Sequence, residues 1–153
     1  MEKILITLIL IITGATSVLA SDWRWIPGGD YIDLESVTRY YGNALYPHTN
    51  SYTYWLKNFD DGSISSKRYI DESNKLLSLI KNQNTESVFE IKTKEILDCE
   101  NKRFTQPAKY FYDKYGNVLY SYSLNEHEFR WGEVVPDSNI DFTYKLLCQL
   151  NEQ

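Results

Sequence analysis

The chain has 153 residues and a net charge of −5. That length suits one domain with a packed core of its own. Its basic residues are scattered among acids, as in Lys92-Thr93-Lys94-Glu95, which argues against a partner such as nucleic acid or anionic lipid.

The chain opens with Met1-Glu2-Lys3, an apolar run from Ile4 to Ile12, and the small-x-Ala ending Val18-Leu19-Ala20. This pattern predicts a secretory signal over residues 1–20, cleaved after Ala20, and a single mature domain over residues 21–153. The apolar run is shorter than the roughly 20 residues a bilayer span requires. Ser21, not Cys, follows the cleavage site, so no lipid anchor is expected. The expected location is outside the cytoplasm, periplasmic or secreted. The lack of an Asn-x-Ser/Thr acceptor in residues 21–153 favours a bacterial exported protein over a eukaryotic one.

In the mature chain, Trp23-Arg24-Trp25-Ile26 is β-type and is broken by Pro27-Gly28-Gly29-Asp30. Tyr31 to Val37 reads as a strand, and Tyr41-Gly42-Asn43 as a turn. Tyr52 to Lys57 reads as a strand covered in part on both faces, closed by Asp60-Asp61-Gly62-Ser63. Over 66–81 the period changes. Tyr69, Ile70, Leu76, Leu77 and Ile80 fall at helical spacing, which predicts an amphipathic helix lying on the sheet. Residues 82–85 form a polar loop.

From Val88 to Cys99 the period returns to two. Phe89, Ile91, Leu97 and Cys99 share the parity expected to face inward. Tyr110 to Tyr112 and Val118 to Tyr122 flank Asp113-Lys114-Tyr115-Gly116-Asn117, which predicts a hairpin. Phe129-Arg130-Trp131 reads as a further short strand. Pro136-Asp137-Ser138 precedes a C-terminal helix whose Ser138-x-x-Asp141 has the form of a capping box. Phe142, Leu146 and Leu150 lie along one line of that helix, and Tyr144 and Cys148 along the next.

Cys99 and Cys148 are the only cysteines. In an exported chain they predict one structural disulfide, tying the last helix to the sheet across a loop worth about 4 kcal/mol of chain entropy. There is no Cys-x-x-Cys, and neither histidine lies near a cysteine in sequence. His48, in a turn, and His127, between Glu126 and Glu128, read as solvated loop residues. The signatures of serine hydrolases, zinc proteases, P-loops and dinucleotide sites are all missing. The acid pairs Asp60/Asp61 and Asp71/Glu72 suit a turn and a solvated helix face. The expectation is a non-enzyme with no metal or other cofactor.

With 13 Tyr, 4 Trp and 6 Phe, the chain is rich in aromatic residues, which suit both β-sheets and protein-binding faces. The hairpin tyrosines Tyr110, Tyr112, Tyr120 and Tyr122 are the candidate binding face.

Residues 87–150 resemble the surface-adhesin protein E-like domains of Gram-negative bacteria. The resemblance rests on Asp98-Cys99, Lys102-Arg103, the Tyr-rich hairpin from Tyr110 to Tyr122, Trp131, Pro136-Asp137-Ser138 and the final Cys148. The start of the mature chain is similar too, with Trp23, Tyr31-Ile32-Asp33 and Ser36-Val37. Residues 66–84 depart from the pattern as an apparent helical insertion. The resemblance implies an α+β fold, a small antiparallel sheet packed with helices, and a Cys99–Cys148 disulfide. It also implies binding of host extracellular-matrix or plasma proteins, with an envelope protein as another candidate partner. A periplasmic small-ligand carrier or envelope accessory protein is the alternative reading; a deep pocket would favour it.

Overall fold

The computed structural model describes residues 21–45, 47–81 and 87–149; the proposed signal segment and the 82–85 loop lie outside them. Seven strands form one antiparallel sheet: β1 (Trp23–Ile26), β2 (Asp30–Arg39), β3 (Ser51–Phe59), β4 (Glu90–Asp98), β5 (Arg103–Tyr112), β6 (Val118–Ser123) and β7 (Gly132–Glu133). The first six lie in chain order, each beside the next, and β7 pairs with the start of β5. Helix α1 (Ile64–Lys81) joins β3 to β4, and helix α2 (Asn139–Tyr144) follows β7, continuing into a wider turn over Lys145–Gln149. The sheet dominates. It is larger than the small sheet expected from the family resemblance.

Both helices lie on one face of this sheet. The register sets Tyr52, Tyr54, Leu56 and Asn58 of β3 opposite Leu97, Glu95, Thr93 and Ile91 of β4, so these residues share the inner face. Beneath α2, a core forms from Ile26, Ile32, Tyr52, Tyr54, Leu56, Leu97 and Leu147. Beneath α1, a second core contains Ile70, Leu77, Val88, Ile91 and Phe111. The Cys99–Cys148 disulfide sits in the first core and ties the C-terminal turn to the end of β4, with Cα atoms 5.6 Å apart.

Several local features follow from chemistry. In the β5–β6 hairpin, Asp113 Oδ1 accepts from the amides of Tyr115 and Asn117, and Gly116 takes a φ of 86°. That is a conformation glycine adopts without strain. At the start of α1, Ser63 Oγ accepts from the amide of Ser66, and Asp61 Oδ1 accepts from Ser63 N and Ser66 Oγ. Pro107, which cannot donate to a ladder, lies where β5 carries an extra residue opposite Lys94–Ile96.

Some expectations need correction. Phe129-Arg130-Trp131 is not a strand; pairing begins one residue later, at Gly132. A Cβ on Gly132 would meet the Phe104 ring at 3.1 Å, so a side chain there would require the ring to shift by a few tenths of an ångström. In α1, Ile70 and Leu77 are buried as predicted, but Leu76 and Ile80 face outward and Ser66 and Ser73 complete the buried line. Both serines satisfy their hydroxyls locally, through Asp61 and the Tyr69 carbonyl, so they can sit at the interface. In the C-terminal helix, the buried residues are Thr143, Leu147 and Cys148, whereas Phe142 faces outward and Leu150 lies outside the described residues. The widening to i→i+5 hydrogen bonding at Lys145–Gln149 shifts the line that faces the sheet. The capping box is half made. Ser138 Oγ accepts from Asp141 N, but the Asp141 carboxylate reaches Asp137 N instead of Ser138 N.

Candidate functional site

Neither α1 nor α2 lies on the outer face of the sheet. Register lays its side chains in lateral rows. One row runs Trp25, Tyr31, Lys57, Lys92, Tyr110, Ser121, and the row beside it runs Phe59, Glu90, Tyr112, Val118. Lys57 Nζ lies 4.4 Å from the centre of the Trp23 ring and 5.6 Å from that of Phe59, and Lys92 Nζ lies 5.1 Å from that of Tyr112. Trp55 contacts Tyr110 at 5.8 Å between ring centres, and Tyr110 stacks on Tyr112 at 6.5 Å. Lys57 stands directly opposite Lys92, a placement that like charges resist; the surrounding rings and Glu90, 3.3 Å from Lys92, offset it.

The four predicted tyrosines do not form one face. Residues two apart on a strand point the same way, so the structure keeps each pair together but separates the pairs. Tyr110 and Tyr112 belong to the outer aromatic face. Tyr120, opposite Phe111, packs on the core beneath α1. Tyr122 stands opposite Lys109, whose ammonium donates to Tyr69 of α1, and so lies on the inner side.

At one end of the outer face, three loops meet around a cavity of about 270 Å³. His48 is not solvated, contrary to the sequence expectation: its side chain is only 9% exposed. It lies between the rings of Tyr40 and Trp131, with Nδ1 3.7 Å from Asp98 Oδ2. Asp98 is buried, which opposes ionisation. Donation from Asn101 and from Arg103 Nε at 2.8 Å outweighs that burial and holds its pKa below the usual carboxylate value. Glu126 accepts from both Tyr40 and Asn43. Burial and this carboxylate push the Tyr40 hydroxyl above its ordinary pKa. The residues lock the loops to one another. His127, by contrast, is exposed as expected.

On the inner face, a cleft of about 1010 Å³ opens between α1 and the start of α2. Its floor holds Glu95, 3% exposed. Glu95 Oε2 accepts from the Tyr54 hydroxyl at 2.8 Å and Oε1 from Gln106 Nε2 at 2.7 Å. Burial raises the Glu95 pKa above the ordinary carboxylate value, against these two hydrogen bonds. The extra residue in β5 turns Gln106 inward to make its contact. One wall is fixed by Asp30, which accepts from Asn58 Nδ2 at 3.1 Å and Asn139 Nδ2 at 2.9 Å. The sequence held one sign of this floor: Glu95 has the same parity as Ile91, Leu97 and Cys99, so a carboxyl lay on the inward side of a buried strand. Asn58, Asp30 and Asn139 gave no such sign, because their meeting depends on sheet register and helix docking.

Among the described residues, no group of three or more His, Cys, Asp or Glu side chains is placed to hold a metal ion.

Three solved structures share the fold. Crystal form II of Haemophilus influenzae protein E is 17% identical, with 88% of this chain and 93% of that one covered and a TM-score of 0.53. A second structure of H. influenzae protein E is 18% identical, with coverage of 86% and 87% and a TM-score of 0.52. Protein E from non-typeable H. influenzae is 18% identical, with coverage of 87% and 79% and a TM-score of 0.51. No curated protein sequence matches the chain. Residues 28–149, from the first turn of the sheet to the cysteine-bearing C-terminal turn, match the family model of surface-adhesin protein E, and the chain belongs to that family.

Proposed function

We propose that this chain is an exported, non-catalytic adhesin-like domain that binds host extracellular-matrix or plasma proteins, or a protein of the bacterial envelope, through the outer face of its sheet. The observation that carries this reading is the aromatic surface that α1 and α2 leave uncovered, where Trp55, Tyr110 and Tyr112 stand beside Lys57 and Lys92. Aromatic rings with polar tips supply most of the energy at protein interfaces. The facing ammonium groups favour a partner with acidic side chains. Tyr110 and Tyr112 are the members of the predicted hairpin set that serve this face.

The test is binding of the purified chain to immobilised matrix and plasma proteins, with the variant Tyr110→Ser/Tyr112→Ser beside it. Loss of a hot-spot aromatic costs about 2 kcal/mol or more, so with one such residue in the pair the double variant is expected to bind at least tenfold more weakly while melting as the parent does. Unchanged affinity would remove the outer face from the reading. Recovery of the protein solely from the periplasm would turn the search from host proteins to envelope proteins.

A second reading, a periplasmic carrier of a small ligand, is favoured by the cleft of about 1010 Å³ on the inner face, which lies in the size range of small-molecule sites.

A further inference from the structure

Three carboxyl groups line the inner cleft; Glu72 is paired with Arg68, whereas Asp30 and Glu95 are held by neutral donors. Asp30 receives the side-chain amides of Asn58 and Asn139; Glu95 receives the hydroxyl of Tyr54 and the amide of Gln106. Among the described residues, no Lys or Arg lies within ion-pair distance of either. Of the cations nearby, Arg68 at the cleft wall is turned to Glu72 at 3.0 Å, and Lys109 donates to Tyr69 at 3.2 Å and acts on Glu95 only through space. Glu95 is buried and Asp30 half-buried; an ionised carboxyl in such a place is ordinarily matched by a cation, because an uncompensated charge in a low-dielectric site is costly.

A second observation is independent of charge. Asn58 also lines the cleft and is 7% exposed. Its Nδ2 is committed to Gly29 O and Asp30 Oδ1, which fixes the amide's orientation, and its Oδ1 is left with no partner. A buried acceptor without a donor is rare in folded proteins. Part of the remaining wall is apolar, with Ile26, Leu56, Phe104 and Ile140 beside Thr93 and Thr143.

We infer that the inner cleft binds an organic cation: an amine on a compact apolar body, with its N–H donors directed to Asp30, Glu95 and the Asn58 carbonyl. The inference rests on the small-ligand reading above and is separate from protein binding at the outer face, since the two lie on opposite sides of the sheet. The ammonium supplies a directly bound positive charge for Asp30 and Glu95 and a donor for Asn58 Oδ1, and the apolar body covers the apolar part of the wall.

The probes are 2-phenylethylamine, 2-phenylethanol and phenylacetate, which share one ring and differ in the head group. Each is titrated near neutral pH into the isotope-labelled chain, following the backbone amides of Thr93, Gln106 and Asn139. The amine is expected to give saturable shifts confined to the cleft, the alcohol to bind about tenfold more weakly or worse, and the carboxylate to give none. That ratio is the order set by losing one charged hydrogen bond. Asp30→Asn, and Glu95→Gln as a second variant should the first fail to fold, are each expected to weaken the amine about tenfold and the alcohol much less, so that the ratio between the two falls. Equal binding of amine and alcohol would overturn the cation assignment and leave the small-ligand reading standing. No saturable shift from any probe would overturn both.

Discussion

Glu95 and Asp98 are three residues apart on one strand and respond to burial in opposite ways. Glu95 has two neutral donors, so burial wins and its pKa is raised in the folded chain. Asp98 has the Asn101 backbone and side chain and the Arg103 guanidinium, so the donors win and its pKa is lowered. The signs of the linkage are therefore opposite. Above the ordinary glutamate pKa, the folded state holds the Glu95 proton more tightly than the unfolded state does, so stability falls as pH rises toward the folded value. For Asp98, stability is present above the ordinary aspartate pKa and is lost as pH falls through the lowered folded value. Every tenfold difference in proton affinity between the two states costs about 1.4 kcal/mol. Glu95→Gln keeps the shape and removes the proton. Urea melts across a pH series are expected to show the parent losing stability on the alkaline side of the carboxylate range and the variant losing much less there. Both should keep the acid-side loss due to Asp98. Parallel curves for parent and variant would mean that Glu95 is solvated.

At the scale of elements, the β1–β2 turn approaches α2 closely. Gly28 has a φ of 107°, and a Cβ there would lie 1.7 Å from Asn139 Oδ1. Asn139 is also the residue that donates to Asp30. The approach that leaves no room for a side chain therefore also places the amide that fixes one wall of the cleft. Gly28→Ala is expected to destabilise the fold by about 2 kcal/mol or more, part from the left-handed backbone and part from the collision. Pairing it with Asn139→Ala separates the two parts, because the second change removes the obstacle and leaves the backbone strain. A double variant as unstable as the sum of the singles would show that the collision is not the cause. This is the kind of feature the sequence carries only faintly. Pro27-Gly28-Gly29-Asp30 announced a turn, and period-two runs announced most of the strands, because turn chemistry and alternation are local. What stayed hidden was long-range. The run Phe129-Arg130-Trp131, with its two aromatics, read as a strand, yet Trp131 is used to pack His48 and Arg103 in a loop cluster. Which hairpin tyrosines face outward depends on which face the helices take, and no residue of the hairpin decides that.

The whole molecule is a sheet with one face covered in two pieces, and the pieces are secured differently. Helix α1 has 18 residues and follows β3 through a capped turn, so chain connection and its own length hold it. Helix α2 has six residues, too few to persist without tertiary support. Its support comes from Leu147 and Cys148 in the core, from Asn139 on Asp30, and from the bond to Cys99, which spans 49 positions of sequence. A cross-link closing a loop of that length removes about 4 kcal/mol of unfolded-state entropy. Reduction, or Cys148→Ser with Cys99→Ser, is therefore expected to lower unfolding stability by about that amount in denaturant melts. The loss should be uneven. Amides of Tyr52 and Leu97, beneath α2, should lose protection from hydrogen exchange ahead of Ile91 and Phe111, which α1 covers. Because the cleft lies between the two helices, the reduced chain should also lose its amine site while the outer face, built on β1 to β6, keeps its arrangement. A stability loss below about 1 kcal/mol, with protection unchanged beneath α2, would mean that side-chain packing alone holds the C-terminal turn and that the disulfide adds nothing to it.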